Sequence, residues 1–573
     1  MSPYADVIVT NANVFTSDES NLHAETVAVK GNRIIYVGSR LGGDEWRGPD
    51  TRVIDAQGKT LLPGFIDSHF HLLWGCIWLG SAQLQEVKTK EDLRKILLDF
   101  ASENKTTAWL DGRGIKYGIV STRQELDAII ADRPVYVGAY DGHTAWANTK
   151  ALEMAGILHP GKEIGPNGII VRDENGLATG ELREEDAMKA VHGLVPEPSE
   201  ARKRELLKLG MKQITATGVT SVHNMNGDMQ EMMTYAAVED AGEMLLRVYV
   251  PYWVKPDATE EMLAEAAEMK KVQGEFARGG AAKFFMDGVW ESYTALNLDP
   301  YADDPDATED GIWSLERFTQ MAAACDKLGL QIFVHCCGDG AVRRTLDGYE
   351  AVQKLNGKRD SRHRVEHIEV IHPDDMPRFK ELDVIASMQP IHSPLTGQDA
   401  DVWLTRTGPQ RWPLSFAWRD LKNAGARLVF GSDWTVAPFN PMLGLYAALN
   451  RQKWEPDNPD QRLTLEETLI GYTRDAAYAE FQEHQKGQLK EGYLADIVLL
   501  SEDIFQTRPS RPRFSDSVIS SEAGCCLSSV RFMDSSMLHC KISYQKALTQ
   551  TRVAVTIYVI TCKSVWKVWL LEN

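Results

Sequence analysis

At 573 residues, with 43% hydrophobic and 25% charged positions, the chain has the composition of a globular enzyme, not of a disordered or fibrous protein. Its net charge of -19 argues against nucleic acid or an anionic membrane as partner, because phosphate surfaces select basic patches. The opening MSPYADVIVTNANVF has neither the basic leader nor the long apolar stretch of a signal peptide, and no run approaches membrane-spanning length, so a cytoplasmic location is expected.

Along the chain, the first sixty residues read as short strands. VIVTNANVF, ETVAVKG and RIIYVGS are rich in β-formers, and Gly31-Asn32 between the last two is a hairpin-type turn signal. A small β-sandwich is expected over residues 1–60. GFIDSHFHL (64–72) then reads as a buried strand ending in two histidines, and side chains two apart in a strand share a side, so His69 and His71 can grip one ion. Helical stretches follow at 91–104, 200–218 and 315–329, where apolar residues recur at three and four. Further apolar strand candidates lie at 135–143, 219–223, 247–253 and 384–390. Four more carry ligand-type side chains at or just past their ends: AAKFFMDG with Lys283, LQIFVHCCGD with His335, RVEHIE with His367 and ARLVFGSDW with Asp433.

Strand and helix alternating along the chain predict an α/β fold with right-handed crossovers, most simply a (β/α)8 TIM-like barrel over 61–487. The strand candidates exceed eight, so at least one belongs to an insertion, placed at about 111–190 and able to cover the barrel mouth. An H-x-H alone is more often two chance histidines than a metal site. Here, however, polar groups end several buried strands, an expensive arrangement unless they share partners, and one metal centre supplies them all. Catalytic groups of such barrels gather at the carboxyl ends of the strands, where His69, His71, Lys283, His335, His367 and Asp433 would converge.

The four cysteines of the first 520 residues form no disulfide framework. The other four crowd a tail (506–573) whose segment from Cys525 onward has no glycine or proline and six Lys or Arg against two acidic residues. That shift reads as a segment that is not an evolved domain, of the kind a misread gene end supplies, although VAVTIYVI (553–560) could form a strand at the sandwich edge.

GFIDSHFHL, DGHTAWANTKAL, KFFMDG, VHCCGDGAV, HRVEHIE and GSDW together resemble the motif series of the amidohydrolase superfamily, in the branch that includes N-substituted formamide deformylases. LTLEETLIGYTRDAAYAEF and KGQLKEGYLADIVLL extend the resemblance over residues 5–505. It implies a metal-dependent hydrolase in which 488–505 returns to the N-terminal sheet to complete the sandwich. It further implies that His69, His71 and Asp433 hold the more buried ion and that His335 and His367 hold a second. Lys283 would be carboxylated and bridge the two, the alternatives being a lysine paired with Asp287 or one in water. Zinc suits these ligands, and iron, manganese or cobalt would fit.

The activity so implied is hydrolysis of a non-peptide amide, an N-acyl or N-formyl compound, by metal-activated hydroxide, with Asp433 as general base and then acid. His143 could hold the substrate carbonyl, His392 could face the pocket, and Trp74 and Trp290, with Trp146 and Trp434, could line it. His363 reads as structural, and neither Cys336 nor Cys337 has a base partner in sequence. The open alternatives are hydrolysis of a lactone or cyclic amide, deamination, and a binding homologue without metal. Cys336, Cys337 and Gly338 after His335 disfavour deamination, and filled ligand positions disfavour the binding homologue. The partner is a small-molecule amide, and a homodimer is possible.

Overall fold

The computed structural model describes residues 3–105, 107–139, 144–165, 168–308, 310–396 and 402–506, together with the strands Cys526–Arg531 and Thr556–Thr561. It places the chain in two compact units, Met1–Leu72 with Met211–Asn573, and Leu73–Gly210.

The first unit holds an eight-stranded parallel sheet: β1 (Phe65–Phe70), β2 (Val219–Asn224), β3 (Arg247–Trp253), β4 (Ala277–Phe285), β5 (Gln331–Cys336), β6 (Arg364–His367), β7 (Ile385–Met388) and β8 (Arg427–Phe430). Each strand pairs with the next in chain order. Apolar runs such as QIFVHC and RLVF suit strands covered on both faces. Helices cover the outside, among them Leu315–Lys327, capped by Ser314, and Asp339–Asn356.

The sheet curls until its first and last strands meet just past their ends. Asp433 N donates to His69 O at 2.8 Å, His71 N donates to Trp434 O at 2.9 Å, and Phe70 bridges to Trp434. Gly431 permits this approach, since a Cβ there would lie 2.5 Å from His69 N. The expected barrel architecture is therefore present. Its seam runs through four of the residues singled out from sequence, His69, His71, Asp433 and Trp434.

The same unit contains the sandwich. One sheet orders Arg33–Gly38, Thr26–Lys30, Val7–Thr10 and Arg52–Asp55. The other includes Asn13–Phe15, Thr60–Pro63 and Ile497–Leu499, the last antiparallel to Thr60–Pro63, so both ends of the chain build it. Val7, Val9, Val27, Val29, Leu61, Ile497 and Leu499 share its core. Part of VAVTIYVI falls in Thr556–Thr561, which pairs parallel with Ile497–Leu499 and antiparallel with Cys526–Arg531.

The second unit is built on a six-stranded sheet that contains Leu110–Ile115, Val135–Ala139, Thr144–Ala147 and Ala178–Arg183. The described part of the surplus strand candidate at 135–143, Val135–Ala139, lies here. Beyond 111–190 the unit takes in 73–110 and 191–210. The helix Lys90–Glu103, whose period suited a barrel helix, instead packs Leu93, Leu97 and Ala101 against Leu110, Val135 and Val137 of this sheet. A helical period reveals which face is apolar but not which sheet that face will cover.

Candidate metal centre

The six residues read as ligands sit at the carboxyl ends of β1, β4, β5, β6 and β8. His69 is the penultimate residue of β1 and His71 follows it; Lys283, His335 and His367 lie in β4, β5 and β6, and Asp433 follows β8. All six are buried. His69, His367 and Asp433 each offer a ligand atom within 4.8 Å of the others. His71 Nε2 lies 3.2 Å and His69 Nε2 3.5 Å from Asp433 Oδ1. The His335 and His367 rings are 4.4 Å apart between centroids. His367, expected beside a second ion, thus offers an atom to the group of His69 and Asp433.

Each histidine has one ring nitrogen tied back to the protein. Nδ1 of His69 pairs with Glu366 Oε2 at 2.8 Å, Nδ1 of His71 with Asn226 Oδ1 at 2.7 Å, and Nδ1 of His367 with Gln389 Oε1 at 2.8 Å. His335 is reversed: its Nε2 meets the Gly288 carbonyl at 3.0 Å. Because those partners accept, the tied nitrogens carry the protons and the other nitrogen of each ring presents a lone pair, as metal-binding histidines do. Burial lowers the pKa of His69 to about 4 and, with help from Lys283, that of His335 to about 3. Both are therefore neutral donors at pH 7.

Two atoms of the candidate ligands make no hydrogen bond. Asp433 Oδ1 makes no well-directed hydrogen bond despite its neighbours, and neither does Lys283 Nζ, which lies over the Phe285 ring at 4.6 Å. No carboxylate of the described residues is within ion-pair distance of that ammonium, so the pairing with Asp287 considered from sequence does not occur. Burial lowers the Lys283 pKa to about 8. Against the cost of burial, His69, His71 and His367 hold the Asp433 carboxyl well below the usual range. An orphaned carboxylate oxygen facing unprotonated imidazole nitrogens is a donor set that fits a divalent cation.

The backbone is bent to aim these groups. His367, Ile368 and Asp433 have φ of 70°, 53° and 57°, a left-handed region that non-glycine residues seldom occupy and that concentrates at functional sites.

The remaining candidates separate. His392 is at the site, its ring stacked on His367 at 6.3 Å and its Nε2 near the Ser432 carbonyl. Trp290 is fully buried and donates to the Cys337 carbonyl, so it packs beneath the site and does not line it. Trp434 stacks on Phe70 at the seam. Trp74 is exposed and, like Trp146, belongs to the second unit; Trp74 lies against Trp78. His143 lies outside the described residues. His363 receives Ile332 N and faces Asp326.

Sequence reasoning missed Glu366, Arg364, Asn226, Gln389 and Asp67. Arg364 and Glu366 are fully buried and paired at 2.8 Å, and Arg364 Nη1 donates to His223. Their two-residue spacing inside a buried strand was the available signal. Asp67 accepts from His69 N and Ser432 N across the seam, and burial raises its pKa to about 7. Cys337 Sγ is 3.4 Å from His335 Nε2, a contact the sequence hides, but with its proton on Nε2 that nitrogen is no base for the thiol. Burial pushes that thiol far up, and Asp287 beside it is occupied by the amides of Leu296, Cys337 and Gly338, so this cluster orients His335 and offers no second cradle.

Residues 52–519 match the amidohydrolase family. The chain belongs to that family. It is a hydrolase of the metal-dependent kind, with a divalent ion as its cofactor and a small molecule as its substrate. It is 33% identical to Protein LONG AFTER FAR-RED 3 of Arabidopsis thaliana over 87% of either chain. To an N-substituted formamide deformylase of Arthrobacter pascens it is 27% identical over 88% of this chain and 94% of that one. Its fold matches an uncharacterized metal-dependent hydrolase of Pyrococcus furiosus with a TM-score of 0.71 at 24% identity, covering 88% of this chain and all of the other. No helix among the described residues is long and apolar enough to cross a membrane.

Proposed function

We propose that the chain hydrolyses a carbon–nitrogen bond in a small N-acyl or N-formyl amine, with zinc as the resident ion and Asp433 as the group that moves the proton. The reading is supported above all by Asp433 Oδ1, a buried carboxylate oxygen without a well-directed hydrogen bond that faces the His69 and His71 imidazoles. His69, His71, His335, His367 and Asp433 would hold one or two ions. When bound, the ion supplies Lewis acidity and lowers the pKa of a coordinated water to about 7.

The chain's own residues supply the rest. Asp433 Oδ1 accepts the proton of the attacking water and then delivers it to the departing nitrogen, which needs protonation because an amide anion is a very poor leaving group. The lowered pKa of Asp433 keeps it ionised at neutral pH. His392, kept neutral by burial, is proposed to orient the substrate carbonyl, and His143 to assist it. A Lys283 carbamate is proposed as the bridge between two ions: with a pKa near 8 a fraction of the amine is neutral at pH 7, the form that adds carbon dioxide. The similarity to an N-substituted formamide deformylase supports the substrate class.

A screen of N-formyl and N-acyl amines against the zinc-loaded protein and its Asp433→Asn variant tests the reading. Turnover of at least one such amide, lost by 100-fold or more in the variant, is expected. Turnover confined to lactones or cyclic imides would overturn it.

A further inference from the structure

At the opposite end of the barrel, away from the ligands, lies a cavity of about 480 Å³. The first two residues of β3, Arg278 near the start of β4, the sandwich turn at Asn32 and Arg33, and the segment from Glu480 to Lys486 enclose it. Its volume is within the range of small-molecule sites.

Its charges are unevenly answered. Arg247 is paired with Asp496 at 2.9 Å and lies 3.8 Å from Glu275. Lys486 is paired with Glu480 at 2.7 Å, which His223 also meets at 3.3 Å. Arg33 and Arg278 have no carboxylate within ion-pair distance among the described residues. Arg33 Nη1 donates to the Gly492 carbonyl, while Arg278 donates to Gln273 Oε1 and, at 3.5 Å, to the Glu480 carbonyl. A guanidinium carries five N–H donors in a planar fork that matches a carboxylate or phosphate. Two partly buried forks without counter-charge, in the wall of one cavity and in a chain of net charge -19, are the reverse of what the surface at large would provide.

We propose that this basal cavity binds a small organic dianion, one oxyanion group to Arg33 and the other to Arg278. Lys486 and Glu480 neutralise one another and shape the wall between. The guest is held at strand starts, where barrels seldom place chemistry, so the site binds and does not catalyse. The claim is independent of which amide the metal centre cleaves.

Calorimetric titration of the metal-loaded protein with succinate and with inorganic phosphate, at fixed ionic strength and with succinamide as the uncharged control, tests it. Saturable 1:1 binding of succinate is expected, tighter than that of phosphate, absent for succinamide and weakened at least tenfold in both Arg33→Gln and Arg278→Gln. Circular dichroism shows whether each variant is folded, and Arg33, at the start of a sandwich strand, serves if Arg278→Gln unfolds. Absence of saturable binding overturns the proposal. So does equal binding by wild type and variants, which would mean an adventitious ion only.

Discussion

Glu366 Oε2 lies 2.8 Å from His69 Nδ1 while its other oxygen lies 2.8 Å from Arg364 Nε, so one buried carboxylate both orients an imidazole of the candidate metal centre and neutralises a guanidinium with no access to solvent. Replacing one member of a buried ion pair costs about 3–5 kcal/mol because the other charge is left uncompensated. Glu366→Gln is therefore expected to lose stability of that order in urea unfolding of the metal-free protein. An unchanged midpoint would show that the pair contributes nothing.

Gln389 acts more narrowly. Its carbonyl accepts from His367 Nδ1, and no charge depends on it. Loss of such an outer partner costs about 10–100-fold in metal affinity. Gln389→Leu should bind zinc that much more weakly in a competition titration with a chelating dye while its thermal unfolding without metal stays close to wild type. Affinity equal to wild type would detach Gln389 from the site.

The buried histidines predict an acid-labile metal-free state. The pKa values of His69 and His335 fall from 6.5 to about 4 and about 3 through burial. Protons thus bind the unfolded chain before the folded one. Stability is full above pH 6.5 and declines as pH falls from there toward 4 and 3. His69 alone accounts for about 3 kcal/mol of that decline. Denaturant midpoints of chelator-treated protein should drop steadily between pH 6.5 and 4. A flat profile would mean these rings are not buried and neutral.

Lys283 offers a chemical test. Native mass spectrometry of protein prepared in bicarbonate should show an added mass of one carbon dioxide per chain that disappears on acidification and is absent from Lys283→Met. Wild type without the adduct under these conditions would leave Lys283 a plain buried amine.

The candidate ligands were legible in the sequence because each lies at or just past the end of an apolar strand, where a polar side chain has no cheap alternative explanation. The sequence hid their supports for the complementary reason. Glu366 and Arg364 sit within such a strand, Arg364 at its start, and read as an ordinary alternating pair, and their partners at His69 and His223 lie far away in the chain. His367 breaks the alternation through its positive φ, which no spacing argument anticipates. The helix Lys90–Glu103 shows the same limit at the level of the fold, since its apolar face was readable and its destination was not.

The convergence of six side chains on a cation is tested most directly by elemental analysis of the purified protein beside a His69→Ala, His367→Ala double variant and Asp433→Ala, each shown to be folded. At least one divalent ion per wild-type chain, reduced to a small fraction of that in both variants, is the predicted result. Metal content unaffected by the substitutions, or full hydrolytic activity in a wild-type preparation free of metal, would contradict it.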